Sequence, residues 1–94
     1  MTVQEMYDAY RARMRGRPRD QAFGTPSARE GYSLTNVKDF YAEGYAVYNS
    51  TLDLQQARMR VQAPELYDYL RQLAEREHMP QPGSETAGPG GGRP

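Results

Sequence analysis

Residues 32–48 read YSLTNVKDFYAEGYAVY and contain the clearest helix signal in the chain. Thr35 or Asn36 can accept a hydrogen bond from a first-turn backbone N–H and so cap a helix start. The apolar residues that follow recur at helical spacing: Val37, Phe40, Tyr41, Gly44, Val47 and Tyr48. Because residues 49–51 interrupt this pattern with Asn-Ser-Thr, the sequence predicts a helix over about residues 36–49.

A second helix is predicted at the N-terminal end of the chain. Thr2 and Glu5 have the spacing of a capping box, in which each side chain accepts a hydrogen bond from the other residue's backbone N–H. Apolar residues follow at helical spacing, which predicts a helix over about residues 3–15. Gly16 and Pro18 end it, since neither residue favours continuation of a helix.

The remaining segments predict a long loop and two more helices. Residues 16–34 hold few apolar side chains, which predicts a loop with at most a short strand or turn near residues 31–33. Apolar residues in 52–61 predict a short third helix. Pro64 suits the first turn of a fourth, which should run to about Glu77. The predicted fold class is therefore all-α, a small fragment of about four helices. Five tyrosines are predicted to be packing residues with a polar tip: Tyr41, Tyr45, Tyr48, Tyr67 and Tyr69.

Length and composition limit what such a chain can be. Its 94 residues make one small domain at most, which we expect to occupy residues 1–78. Residues 79–94 are rich in Gly and Pro and hold no aromatic or branched apolar residue, which predicts a disordered C-terminal tail. The absence of cysteine excludes disulfides and thiolate metal sites.

Charge and hydropathy disfavour two classes of partner. Twelve basic and twelve acidic side chains give a net charge of zero, so the chain has no global field that attracts nucleic acid. No apolar run is long enough to span a bilayer. The N-terminus lacks a basic start followed by an apolar stretch, so we expect no signal peptide in this chain.

Asp39 and Glu43 are the first candidates for chemistry. They are four residues apart, so a helix places both carboxylates on nearly the same side. Two such groups could bind a cation or act as an acid and base pair. The structural alternative is that Asp39, three residues after Asn36, caps the helix and complements its dipole.

His78 and an arginine run are the other charged features. His78 is the single histidine and ends the last predicted helix, where it complements the helix dipole instead of joining a metal site. Arginines occur at every second position of residues 11–19. That spacing winds around a helix, and few aromatic residues are interleaved, which favours a solvated helix end over a nucleic-acid surface.

Residues 32–77 resemble the end of the catalytic domain of anthrax toxin lethal factor and related bacterial toxin peptidases. In that family a Tyr-x-x-Thr-Asn stretch leads into a helix with an acidic residue, two aromatic residues and then Ala-Glu. The chain has YSLTN at residues 32–36 and DFYAE at residues 39–43. A polar break at residues 49–51 and the sequence VQAP at residues 61–64 follow in the family's order.

The resemblance implies a zincin, in which zinc is bound by two histidines of an HExxH motif and by an acidic residue on a later helix. It places Asp39 at that third ligand and Tyr32 at a tyrosine that stabilises the transition state. It places Glu43 at a second carboxylate that orients the histidines. The chain differs from the family in two ways. Asp replaces Glu at the ligand, which shortens the side chain by about 1.5 Å, and HExxH is absent.

Two hypotheses follow. In the first, the chain is the C-terminal portion of a lethal factor-like zinc metallopeptidase toxin domain that lacks HExxH and is inactive alone. This implies a secreted protein, a peptide or protein substrate for the intact domain, and an upstream polypeptide that carries HExxH. In the second, the chain is a small, non-catalytic helical protein derived from that scaffold, which works by binding a partner. Its binding surface would be the Tyr-rich helix 36–49 or its groove against helix 64–77.

Overall fold

The computed structural model describes residues 1–78 of the chain, and its regular elements are all helical. The α-helices are α1 (Val3–Met14), α2 (Val37–Tyr48), α3 (Asp53–Gln62) and α4 (Pro64–His78). No β-strand occurs within residues 1–78, so the all-α prediction is confirmed. The predicted disordered tail, residues 79–94, lies outside the described part of the chain.

The helices begin where the capping signals predicted. Thr2 and Glu5 form the complete capping box at the start of α1, and Asn36 caps α2. Pro64 is the first residue of α4, where its missing N–H would have had no partner within the helix. The long connection between α1 and α2 contains two single turns of 3₁₀ helix, at Arg19–Gln21 and Tyr32–Leu34. Of the strand or turn expected near residues 31–33, the structure has the turn.

Aromatic rings form the centre of the core. Tyr10 of α1 lies with its ring centroid 5.1 Å from those of both Phe23 and Phe40. Ser33 is fully buried beneath them and donates a hydrogen bond to the Phe23 carbonyl oxygen at 2.9 Å. Since that bond uses the single hydroxyl hydrogen of Ser33, the Tyr10 hydroxyl is the donor in their 2.6 Å contact. Burial raises the pKa of Tyr10 to about 12.

Two helices approach each other closely at Gly44. A Cβ atom at this position would overlap the side chain of Leu66 on α4 and come within 3.3 Å of Met59 on α3. Glycine therefore allows the backbone of α2 to meet α3 and α4 at one point. A side chain there would push the helices apart or leave the surrounding core poorly packed.

The long loop is attached to the helices by side chains. Three successive backbone N–H groups, those of residues 23–25, donate to Oε1 of Gln62, Gln55 and Glu43 at 2.9, 3.1 and 2.9 Å. Buried backbone donors require such acceptors, because leaving one unpaired costs about 1–3 kcal/mol. The loop is thereby fixed against α2 and α3 without forming a strand.

Some predicted packing positions are wrong. Tyr41 and Tyr48 of α2 do pack, in edge-to-face pairs with Tyr69 and Tyr67 of α4. Tyr45 lies between these two pairs and is 52% exposed, so the prediction that it packs in the core is wrong. It borders the groove between α2 and α4, and α4 leaves about half of it uncovered.

The third helix also exposes apolar side chains. Leu54 is 63% and Val61 76% exposed, although the segment was predicted from its apolar residues. The two are seven residues apart and so share a helix face. Met59 on another face is buried completely and holds α3 against the core.

Candidate functional site

Asp39 lies at the start of α2, partly exposed, and its carboxylate accepts no hydrogen bond from the helix cap. The Asp39 backbone N–H donates to Asn36 Oδ1 at 2.8 Å, which is one half of a capping box. The other half, from the Asn36 N–H to the Asp39 carboxylate, is not formed. Within residues 1–78 no arginine or lysine forms an ion pair with Asp39 either. The capping role considered for this side chain is therefore only the general one of negative charge in the first turn of a helix.

Tyr32 lies beside this carboxylate. Gly31, with φ of 72°, adopts the left-handed conformation that glycine tolerates and leads into the 3₁₀ turn that begins at Tyr32. Hydrogen bonding to the Asp39 carboxylate, together with its charge, raises the pKa of the Tyr32 phenol. The charge of Glu43 acts in the same direction, whereas that of Arg29 opposes it. The structure thus brings together the three residues singled out in the sequence: Tyr32, Asp39 and Glu43.

Glu43 differs from Asp39 because it is almost entirely buried. It is 8% exposed, and its Oε1 atom accepts hydrogen bonds from the Thr25 backbone N–H at 2.9 Å and the Thr25 hydroxyl at 3.2 Å. A Cβ atom on Gly24 would come within 3.3 Å of the same oxygen. One carboxylate oxygen of Glu43 therefore anchors the loop, a role that the sequence alone did not indicate.

These residues do not make a complete zinc site by themselves. A zinc site uses four ligands in a tetrahedral arrangement, with three from the protein when a water or substrate occupies the fourth position. Across residues 1–78, no three His, Asp or Glu side chains are grouped so that they could hold a metal ion. Asp39 could supply one ligand, and histidines from outside this chain would have to supply others. Helix α4 ends at His78, whose side chain lies outside the described structure.

The arginine run is divided among different structural contacts. Arg13 forms a two-pronged ion pair with Glu65 of α4, and this raises the pKa of Arg13 and lowers that of Glu65. Arg19 donates to the Gly31 carbonyl oxygen at 3.1 Å, and Arg11 lies over the ring of Tyr7. Three of the five arginines therefore contact other parts of the fold, whereas the sequence predicted a solvated helix end.

Sequence reasoning missed the residues that hold the loop in place. Thr25, Gln55 and Gln62 were not singled out, yet they fix the loop that supports Glu43. The signal available was a pair of glutamines seven residues apart, a spacing that places both on the same face of a helix. A loop with many backbone donors needs acceptors of that kind.

Comparison with known proteins finds no relative of this chain. The chain matches no protein-family model, no curated protein and no solved structure. Among the helices of residues 1–78, none combines the length and the apolar character that crossing a bilayer requires.

Proposed function

We propose that the chain is the C-terminal portion of a lethal factor-like zinc metallopeptidase toxin domain. In this proposal Asp39 is the third zinc ligand and Tyr32 donates a hydrogen bond to the developing oxyanion. Glu43 orients the histidines of an HExxH helix that lies outside the 94 residues. The observation that carries the proposal is the Asp39 carboxylate, which within residues 1–78 is neither used by the helix cap nor ion-paired and lies beside the Tyr32 phenol.

The burial of Asp39 and Glu43 fits these roles. A metal ligand must be reachable, and Asp39 is partly exposed. A residue that orients ligands must itself be held, and Glu43 is fixed through Oε1 by two donors from Thr25. Within residues 1–78, no hydrogen bond is made to its other oxygen, Oε2. In this proposal Oε2 accepts an imidazole N–H.

The chain by itself should not hydrolyse peptides. One carboxylate cannot hold zinc tightly, and the glutamate of HExxH, which acts as general base in this family, is absent from the sequence. We therefore expect no turnover by the purified 94-residue chain, with or without zinc. Secretion and a peptide or protein substrate belong to the intact domain in this proposal.

The experiment that tests the proposal is to determine the reading frame upstream of Met1 and the N-terminus of the native protein by mass spectrometry. An HExxH helix joined to residues 1–78, in one chain or in a tightly bound second chain, is the expected result. The joined protein should then contain about one zinc ion per copy. A native protein that begins at Met1, purifies without an HExxH-bearing partner and contains no zinc would refute the proposal.

A second candidate, a binding protein without catalytic activity, is favoured by the closed core. Large side chains such as Phe40 and Leu66 are completely buried, and no missing helix is needed to cover them. The exposed ring of Tyr45 borders a groove of about 160 Å³ between α2 and α4, with Leu70 and Leu73 on its other side. Such grooves between helices are common places for a partner to bind.

Solution behaviour separates the two candidates. A binding protein should be monomeric and should melt in one cooperative transition. A fragment that has lost a helix should aggregate or show a broad, non-cooperative transition, because part of its apolar surface is uncovered. Analytical ultracentrifugation and thermal melting followed by near-ultraviolet circular dichroism would provide both observations on the same sample.

A further inference from the structure

A cavity of about 260 Å³ lies between the loop of residues 20–31 and helix α3. The buried side chains of Ala22 and Phe23 give it an apolar part, and Gln55 and Arg58 of α3 give it a polar part. Each water in the liquid occupies about 30 Å³. The cavity therefore has room for several waters or for one group the size of an amino-acid side chain.

The two partly buried polar side chains in this cavity both have hydrogen-bond donors that are unused within residues 1–78. Gln55 Oε1 accepts the Gly24 N–H at 3.1 Å, which fixes the amide orientation, and the Nε2 hydrogens have no acceptor in the part of the chain that the structure describes. Arg58 donates through Nη1 to the Asp20 carbonyl oxygen at 3.2 Å, and within residues 1–78 its other guanidinium hydrogens have no acceptor. A ligand that brings hydrogen-bond acceptors would match these donors.

The remaining charged residues of the cavity lie on its exposed rim. Arg29 adds a third donor group there, while the carboxylates of Asp20 and Glu30 also border the opening. Exposed charges are screened by water and salt, so the rim contributes little compared with the partly buried donors of α3. The charge of Arg29 also acts on Tyr32, which places this rim close to the candidate site.

We propose that this cavity binds a carboxylate carried on a short aliphatic arm, with Gln55 and Arg58 as its donors. Guanidinium and amide donors pair well with the two oxygens of a carboxylate, and Ala22 and Phe23 suit the arm. The side chain of a glutamate within a peptide has this chemistry. The C-terminal carboxylate of a peptide resembles it when the last residue has an apolar side chain beside the carboxylate. Binding itself does not depend on the proposed function; only a role of the cavity as a substrate subsite of a peptidase rests on that proposal.

The test uses the metal-free 94-residue chain and two small carboxylates. N-acetylglutamate N-methylamide represents an internal glutamate, and N-acetylleucine represents a C-terminus. We expect either or both to shift the backbone amide signals of Gly24 and Gly31 in nuclear magnetic resonance titrations, with a Kd of about 1 mM for a ligand of this size. The tighter of the two identifies the source of the carboxylate. The neutral glutamine counterpart of the first ligand is the matched control.

Two variants and one control variant test whether Gln55 and Arg58 are the donors. Gln55→Glu keeps an oxygen for the Gly24 N–H but replaces the free donor with an acceptor, so it should weaken binding by about tenfold or more. Arg58→Gln should also weaken it, whereas Arg60→Gln should not. Arg60 is on the same helix, and its guanidinium lies over the ring of Tyr67. Thermal melting of each variant confirms that it is folded.

Several results would overturn the proposal. One is the absence of shifts for both carboxylates at concentrations up to about ten times the expected Kd. Another is equal binding of the neutral glutamine derivative. Unchanged binding by a folded Gln55→Glu variant, or equal loss in Arg58→Gln and Arg60→Gln, would show that Gln55 and Arg58 are not the donors. None of these results depends on zinc or on peptidase activity.

Discussion

Helices α1 and α2 both begin with a capping residue followed three positions later by an acidic residue, but the acidic side chain makes different contacts in the two helices. In α1 the Glu5 carboxylate accepts the Thr2 N–H at 2.7 Å, and the Glu5 N–H returns a bond to Thr2 Oγ1 at 3.1 Å. In α2 the Asp39 N–H donates to Asn36, but the Asp39 carboxylate does not complete the exchange. The acidic side chain belongs to the helix cap in α1, whereas in α2 it remains available beside Tyr32.

Side-chain length accounts for part of this difference. A glutamate three residues after the cap reaches back to the cap N–H, and an aspartate is shorter by one methylene. The pKa values follow the contacts: hydrogen bonding to Thr2 lowers the pKa of Glu5, and the Asp39 carboxylate raises that of Tyr32. An acidic residue near a helix start is therefore a functional candidate only when its own cap does not use it.

The largest expected effect is on zinc binding by the joined protein, if Asp39 is a ligand. Asp39→Asn should reduce zinc affinity by more than the 10- to 100-fold typical of residues that merely orient ligands, so by about a hundredfold or more. Asp53→Asn is the matched control, because Asp53 is also an acidic residue in the first turn of a helix. Zinc content after dialysis against a competing chelator measures this. Equal zinc retention by both variants would show that Asp39 is not a zinc ligand.

The next largest effect is on stability, at Glu43. Replacement by Ala removes the acceptor for two Thr25 donors and leaves a cavity at an almost fully buried position. Hydrogen bonds to charged groups contribute about 1.5–3 kcal/mol, so we expect a loss of about 2 kcal/mol in the free energy of unfolding. Urea denaturation of the 94-residue chain measures it. Thr25→Ser should stay near the parent value, since it keeps both donors. A loss below about 0.5 kcal/mol for Glu43→Ala would contradict the described anchoring.

A smaller effect is expected at the complete cap of α1. Thr2→Ala should destabilise the chain by about 1 kcal/mol, the usual value for loss of a threonine cap. The pKa of Glu5 is lower in the folded chain than its ordinary value of 4.5, so its contribution is present above that pH. That contribution is lost as the pH falls below 4.5 through the folded-state pKa. Urea denaturation at neutral and acidic pH should show the difference between parent and Glu5→Gln shrinking in acid, because Glu5→Gln removes the carboxylate that accepts the residue 2 N–H. A difference that grew in acid would contradict the capping box.

The smallest effect on stability is expected at Asp39 itself. Its carboxylate forms no cap bond and no ion pair within residues 1–78, so Asp39→Asn should lose the favourable charge at the helix start. The contact with the Tyr32 phenol should change little, because the amide oxygen of asparagine can still accept from it. We expect about 0.5 kcal/mol or less. Asn36→Ala, which removes the cap acceptor, should cost about twice as much or more. The same denaturation experiment compares the two, and a larger loss for Asp39→Asn would mean that this residue is primarily structural.

The sequence predicted the helices well because their signals are local. Thr2, Asn36 and Pro64 mark helix starts through contacts within one turn, and the apolar spacing after each identifies the buried face. The loop was not predictable in the same way. Gln62 and Gln55 bind the amides of Phe23 and Gly24 across more than thirty residues of sequence, and no local pattern specifies that pairing.

In the candidate site, too, local features were predictable from the sequence and long-range contacts were not. The spacing of Asp39 and Glu43 predicted that both lie on one side of α2, which follows from helix geometry. Their different burial did not follow, because it depends on where the loop carries Thr25. The exposure of Tyr45 was missed for a similar reason, since only the position of α4 determines which tyrosines of α2 are covered.

The most direct test of the contact between Asp39 and Tyr32 is a pH titration of the Tyr32 phenol in the 94-residue chain. Carbon-13 nuclear magnetic resonance of the tyrosine ring measures its pKa. The account predicts a pKa above the ordinary value of 10.0 in the parent chain and a clear decrease in Asp39→Asn. Glu5→Gln should leave it unchanged, because that carboxylate belongs to the cap of α1. A Tyr32 phenol that titrates identically in the parent and Asp39→Asn chains would contradict the central claim that Asp39 is directed at Tyr32.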